Sequence, residues 1–178
     1  MKILKNFKTW ACMSIACSAI IALPVYSQQP TLSDPEIASI AVTANQVDVN
    51  AGELAKSTKS KDVESFANTM INDHKAVIAQ AVALVTKLKV TPKDNAVSKK
   101  LLADAGKTKK MLSAKSGKAF DKAYIDNEVA YHKAVTSTVE TVLIPQSQNQ
   151  ELKQLLQNVL PALRTHLEHA EMLQKNYK

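Results

Sequence analysis

Histidines are the residues of this sequence best suited to chemistry, and there are four of them: His74, His132, His166 and His169. Each lies in a stretch of helical hydrophobic periodicity, on or beside the face that should point inward. Imidazole is a common metal ligand, and helical bundles assemble metal sites from side chains on facing helices. The spacing therefore favours a metal site between helices, with a core merely braced by histidines as the alternative.

Acidic side chains accompany the histidines on the same helical stretches. Residues four apart on a helix lie about 40° apart around its axis, so Glu128 and His132 share a face. Asp73 points about 100° to one side of its neighbour His74. On the first helix, Asp48 interrupts an apolar stripe. Each long helix thus brings at least one polar group near the bundle axis.

The set of possible donors is rich in imidazole and poor in carboxylate. A di-iron bundle site uses a Glu-x-x-His pair on each of two helices, and this sequence contains no such pair. Histidine-rich ligand sets suit zinc, copper or a single iron. Met70 and Met172 add thioethers near His74 and His169, which favours copper because soft sulfur ligands prefer cuprous ion.

Structural interpretations of the same residues stay open. A single histidine on an apolar helix face is more often a hydrogen-bonded core residue than a ligand. Glu128 and His132 can form an ordinary intrahelical pair worth about 0.2–0.5 kcal/mol, and methionines on a helix face usually pack. A buried polar network that fixes helix register would use the same residues.

Signatures of enzymes are otherwise missing from the sequence. No serine or cysteine is paired with a recognisable base, and no glycine-rich phosphate loop occurs. His166-Leu167-Glu168-His169 lacks the His-Glu-x-x-His spacing of zinc proteases. A binding role is therefore favoured over catalysis, although the question of an enzyme stays open.

The first 27 residues read as a secretory signal peptide. Three lysines, Lys2, Lys5 and Lys8, precede an apolar run over 10–23, and cleavage is expected after Ser27. The run is too short for a membrane span. We therefore expect export to the periplasm and a single domain over residues 28–178.

Removal of the signal peptide changes the charge and the cysteine content. Because three lysines leave, the formal net charge falls from +7 to +4, which gives no reason to expect nucleic acid as a partner. Cys12 and Cys17 also leave, so the remaining chain has no disulfide and no thiolate ligand. The domain must be stabilised by helix packing alone.

Hydrophobic periodicity predicts an all-α four-helix bundle with one short extra helix between the second and third long helices. Pro161 falls inside the fourth pattern, where we expect a kink or a restart. The short helix should carry the chain across one end of the bundle. The predicted long helices cover 33–56, 61 to about 90, 117–144 and about 151–173, and the short helix lies around 97–105.

Four motifs in order resemble a known bacterial family. They are Phe66-Ala67-x-x-Met70-x-x-Asp73-His74, Gly117-x-x-Phe120-Asp121-x-x-Tyr124, Glu128-x-x-x-His132 and Leu160-Pro161-x-Leu163-x-x-His166-Leu167-x-x-Ala170. Together they resemble the ferritin-like family called domain-of-unknown-function 4142, whose members are often labelled outer membrane proteins. The resemblance covers residues 34–173.

The resemblance implies a ferritin-like bundle, export from the cytoplasm and a metal site without an established reaction. Its recurrent polar positions match Asp73, His74, Glu128, His132 and His166 of this sequence. Many relatives carry a glutamate on the first helix where this chain has the shorter Asp48, so the resemblance does not assign Asp48 as a ligand. The residues give no support to an association with the outer membrane.

These observations lead to a hypothesis and an alternative. The hypothesis is a metal ion, iron, copper or zinc, held between helices by His74, His132, His166, Glu128, Asp73 and His169. The alternative is a non-catalytic stress-tolerance or protein-interaction module whose histidines only brace the core. We expect no nucleic acid partner and no stable membrane span after cleavage, while a protein partner or a homodimer stays open.

Overall fold

The protein is described by a computed structural model over residues 31–177, and this part of the chain is all-helical. The all-α prediction is therefore confirmed. The predicted signal peptide and its boundary at Ser27 lie outside the described residues. Five helices of more than one turn follow one another: α1 Asp34–Ala55, α2 Lys61–Lys87, α3 Ala96–Ser113, α4 Gly117–Thr138 and α5 Gln150–Gln174.

Local sequence signals fix the ends of the first two helices. At the start of α1, the Ser33 backbone N–H donates to Glu36 Oε2 at 3.0 Å, and Pro35 lies in the first turn. Both are features of helix N-termini. α2 ends at Lys87, a few residues before Pro92, which disfavours helix in the residue preceding it.

The long helices form a bundle in which α1 and α5 run one way and α2 and α4 the other. α1 packs chiefly on α2, and α4 chiefly on α5. Because α2 and α4 are parallel, the chain between them must cross the length of the bundle, as in bundles with one long crossover.

α3 is that crossover, and it differs from the prediction of a short helix at the end of the bundle. It runs parallel to α1: Asn95 Nδ2 donates to the Glu36 carbonyl at 3.1 Å near one end, and Leu112 packs with Ala51 and Ala55 at the other. The helix is 18 residues long because exposed lysines, which favour helix, extend it to Ser113.

Two apolar clusters fill the two ends of the bundle. One is centred on Phe66, Tyr124 and Ile125, and the other contains Ile37 and Leu143. A layer of buried polar side chains lies between them, and we call it the central polar layer. It consists of Asp48, His74, Glu128, His132 and His166.

Two irregular features occur in the second half of the bundle. α4 continues through a π-helical turn, Val139–Leu143, and a short α-helical turn, Ile144–Gln146. Because a π turn holds an extra residue, Leu143 is buried where periodicity placed Val142 inward. α5 runs unbroken through Pro161, whose side chain is exposed.

Across residues 31–177, none of the helices combines the length and apolarity needed to cross a membrane.

Candidate metal centre

Four helices contribute to the central polar layer. α1 supplies Asp48, α2 supplies His74, α4 supplies Glu128 and His132, and α5 supplies His166. All five side chains are buried, with at most 6 % of any residue exposed. The structure thus brings together four of the residues predicted from the sequence and adds Asp48.

The side chains of this layer converge. His74, His132 and His166 each offer a ring nitrogen, and these atoms lie within 4.8 Å of one another. Asp48 Oδ2 is 3.4 Å from His74 Nε2 and 3.5 Å from His132 Nε2. A second group, which shares His132 with the first, consists of Asp48, Glu128 and His132. Its ligand atoms also lie within 4.8 Å of one another.

Each of the three histidines is oriented by a hydrogen bond on its outer nitrogen. The acceptors are side-chain or backbone oxygens, so the nitrogen that faces each of them must carry the proton. The remaining nitrogen of each ring therefore presents a lone pair. The pairs are His74 Nδ1 with Asn45 Oδ1 at 2.7 Å, His132 Nδ1 with the Glu128 carbonyl at 3.0 Å, and His166 Nε2 with Asp73 Oδ2 at 2.9 Å.

The inward atoms have no hydrogen-bond partner among the described residues. They are His74 Nε2, His132 Nε2, His166 Nδ1, both Asp48 carboxyl oxygens and Glu128 Oε2. Buried polar atoms without partners destabilise a fold by about 1–3 kcal/mol each. Imidazoles that donate outward and present lone pairs to a common point are the usual arrangement around a metal ion.

Burial sets the ionisation of the layer in the metal-free protein. Desolvation, with the neighbouring imidazoles, lowers the pKa of His74 to about 3, and burial lowers the pKa of His132 to about 4. Both rings are therefore neutral near pH 7. Burial raises the pKa of Asp48 to about 8. Burial, reinforced by the charge of Asp48, also raises the pKa of Glu128 well above its usual range. A cation would be needed to hold both carboxylates ionised.

The other predicted site residues lie outside the layer. Asp73 is about half exposed and reaches the site only through its hydrogen bond with His166. His169 packs edge-on against Phe66, with ring centroids 5.1 Å apart. The predicted contribution of Met172 sulfur is wrong, because 58 % of that residue is exposed.

Asp48 is the residue of the central polar layer that the predicted site lacked. Its signal in the sequence was a carboxylate within an apolar stripe. Its short side chain reaches His74 because α1 and α2 approach closely at Gly52, one turn later. A Cβ on Gly52 would lie 2.9 Å from Ile71 Cγ1 and 3.1 Å from the Ala67 carbonyl oxygen. No sequence pattern indicated that Asn45 would be the hydrogen-bond partner of His74.

The fold and the site together define an all-α bundle with a buried cluster of histidines and carboxylates. A family model, "Domain of unknown function (DUF4142)", matches residues 23–173, and the chain belongs to this family. The resemblance stated from the motifs is therefore confirmed.

A solved structure described as "CopM in the Cu(II)-bound form" has the same fold. Its TM-score is 0.64 at 13 % identity, and the match covers 84 % of this chain and 100 % of that chain. A sequence comparison with curated proteins finds no match.

Proposed function

We propose that this protein is an exported copper-binding protein that holds one Cu(II) ion through His74, His132, His166 and Asp48. One observation carries the proposal: three buried imidazoles turn unpartnered nitrogens to a common point while their other nitrogens are hydrogen-bonded. A bracing network would instead pair the inward nitrogens with donors or acceptors of the protein.

The spacing of the donor atoms supports coordination. Cu(II) favours tetragonal sites, in which bonds of about 2.0 Å place adjacent ligand atoms about 2.8 Å apart and opposite ones about 4.0 Å apart. The separations of Asp48 Oδ2 from His74 Nε2 and His132 Nε2 are 3.4 and 3.5 Å. Both separations lie between these two values. Asp48 and the three histidines belong to two groups that share His132, so small side-chain movements would bring all four donors to one ion.

The chemistry of the donors supports cupric ion among the three metals considered. Imidazole and carboxylate are suitable ligands for Cu(II), which binds nitrogen and oxygen sites more tightly than Fe(II) or Zn(II). The cuprous interpretation loses its support because Met172 is exposed and Met70 packs in the apolar cluster. The Cu(II)-bound form of CopM, a protein of the same fold, also supports copper.

The remaining residues have roles around the four ligands. Asn45 and Asp73 fix the ring orientations of His74 and His166. Glu128 adds a second carboxylate that balances the charge of the ion. Bound copper supplies a one-electron redox couple, but four protein ligands in a buried layer suit retention of the ion more than catalysis. Export is supported by the pattern of residues 1–27.

Metal analysis of the purified protein, followed by Cu(II) titration monitored by electron paramagnetic resonance, tests the proposal. We expect one copper per chain with nitrogen hyperfine structure. His74→Ala combined with His132→Ala should abolish binding while helical circular dichroism persists. His169→Ala is the matched control and should bind as the wild type does.

Three results would overturn the copper site. Equal copper binding by the double variant and the wild type would exclude these histidines as ligands. Retention of zinc or iron in place of copper would keep the site but change its metal. If no metal binds, the histidines only brace the helices, as His74 does by linking α2 to α1 through Asn45.

A further inference from the structure

A cavity of about 930 Å³ takes in the central polar layer and is lined by residues of all five helices, and part of it lies between α1, α3 and α4. Protein interiors are close-packed, with few voids larger than a water molecule. Pockets for small organic molecules have volumes of about 300–1,000 Å³. The space is thus much larger than a packing defect and larger than one metal ion needs.

The cavity exists because small residues face one another across it. They occur on α1, α3 and α4, and their side chains are too short to close the gap that α3 covers. A Cβ added at Gly106 would meet nothing within 4 Å. The small lining residues include Ala41, Ala44, Ala105, Gly106, Ala130 and Ala134.

The walls of the cavity are mainly apolar along its length. Ile40, Val97, Leu101 and Val135 line one part of it, and Leu112 lies towards the other end. The acidic groups of the central polar layer lie at its inner side. The apolar lining therefore suits an alkyl chain and disfavours an anionic group, which would lose its hydration there.

Basic residues concentrate on the helix that covers the cavity. α3 contains five lysines and one aspartate, whereas basic and acidic residues are equal in number, fifteen each, in the rest of the sequence after residue 27. Lys100 and Lys109 line the cavity itself. Lys100 pairs with Asp104, while Lys109 has no ion pair among the described residues.

We propose that this cavity binds a long-chain fatty acid, with its alkyl chain against the apolar walls and its carboxylate at Lys109. The apolar interior accommodates the chain, and the basic cover complements the head group. The carboxyl end stays at the α3 rim, beside Lys109 and water, because an ionised carboxylate buried among apolar walls without a partner is strongly unfavourable. This inference goes beyond copper binding and does not depend on it.

Fluorescence of cis-parinaric acid, a fluorescent fatty acid, measures occupancy on metal-free protein with its native sequence. We expect enhanced emission and its displacement by palmitate. Hexadecanol has the same chain length without the charge, and we expect it to compete about tenfold more weakly, which corresponds to about 1.4 kcal/mol.

Matched substitutions on α3 test where the ligand lies. Ala105→Phe fills the cavity, and Ala103→Phe places the same side chain on the exposed face outside it. We expect the first to weaken cis-parinaric acid binding at least about tenfold and the second to leave it unchanged. If Ala105→Phe fails to fold, Gly106→Leu replaces it, because a Cβ at Gly106 meets no neighbour.

The head group is tested by Lys109→Glu, with Lys110→Glu as the control that changes charge equally outside the cavity. The first should weaken palmitate more than the second and leave hexadecanol unchanged. Equal effects of the two substitutions, or no displacement by palmitate, would overturn the proposal. So would binding to phosphatidylglycerol vesicles without binding of monomeric fatty acid, since the lysines would then serve a membrane surface. All these measurements use metal-free protein, so a negative result would count against the fatty-acid site alone and would not bear on copper binding.

Discussion

At the scale of single residues, the central polar layer is a compromise between stability and binding. Asp48 and Glu128 are buried carboxyls. Three of their oxygens have no hydrogen-bond partner among the described residues: Asp48 Oδ1, Asp48 Oδ2 and Glu128 Oε2. Burial raises the pKa of both groups, so the metal-free fold favours their protonated forms. Residues that a metal site requires should therefore destabilise the metal-free protein.

Asp48→Asn should stabilise the metal-free protein increasingly as the pH rises. Burial raises the pKa of Asp48 to about 8, so between pH 4 and 8 the folded chain keeps a proton that the unfolded chain releases. The wild type thus loses stability over this window and the variant does not. We expect a relative gain of a few kcal/mol by pH 8, since one pKa unit corresponds to about 1.4 kcal/mol.

Urea unfolding with a chelator at several pH values between 4 and 8 measures this gain. The same variant should bind Cu(II) at least about tenfold more weakly, because an amide replaces a ligand carboxylate. A variant that is less stable than the wild type by the same amount at every pH would contradict a buried Asp48 with a raised pKa.

Asp73→Asn should weaken copper binding although Asp73 does not touch the ion. Its carboxylate accepts the His166 Nε2 proton at 2.9 Å and so keeps Nδ1 free for the metal. Loss of such partners weakens metal affinity by about 10- to 100-fold. Calorimetric titration with Cu(II) checks this, with Asp62→Asn on the exposed start of α2 as the control. Equal affinities of the two variants would remove the orienting role.

At the scale of helices, the position of the site depends on how closely neighbouring elements approach. α1 and α2 are in contact at Gly52, whereas Gly106 on α3 is exposed and has open space where a Cβ would lie. Both glycines lie inside helices, where each destabilises by about 0.5–1 kcal/mol relative to alanine. The surroundings of each glycine should therefore decide whether its replacement by alanine stabilises or destabilises the protein.

Gly106→Ala and Gly52→Ala should change stability in opposite directions. A Cβ at Gly106 meets nothing, so the free energy of unfolding should rise by about 0.5–1 kcal/mol. A Cβ at Gly52 would lie 3.1 Å from the Ala67 carbonyl oxygen and closer still to Ile71, so the helices must separate and stability should fall. Thermal and urea unfolding measure both. A rise for both would show that α1 and α2 are not packed as described.

At the scale of the whole molecule, one bound ion would link four helices across the bundle. α1, α2, α4 and α5 each contribute a side chain to the central polar layer, which separates two apolar clusters. The layer interrupts the apolar core at mid-height and contains unpartnered atoms. Metal binding should therefore act on the global stability of the fold.

Copper should raise the melting temperature of the protein. At a free concentration 100 times Kd, an ion that binds only the folded state adds about 2.7 kcal/mol. For a domain of this size, that corresponds to a rise of roughly 5–10 °C. Differential scanning calorimetry with and without a chelator measures it. The double variant of His74 and His132 to alanine should show no rise, and an equal rise in it would point to binding elsewhere.

The sequence by itself determined the helices, the family and most of the central layer. Helical periodicity located α1, α2, α4 and α5, since those helices bury one face each. It also placed His74, Glu128, His132 and His166 inward, because helical spacing fixes which residues share a face.

Only the tertiary structure decided which polar residues meet. His169 and Met172 share the correct helix, yet His169 packs on Phe66 and Met172 faces solvent. Asp48 enters the layer through the close approach of α1 and α2, a distance that periodicity does not contain. The path of α3 likewise depends on which long helix it packs against, and the cavity depends on that path. Contacts between residues distant in sequence determine it, and local periodicity does not contain them.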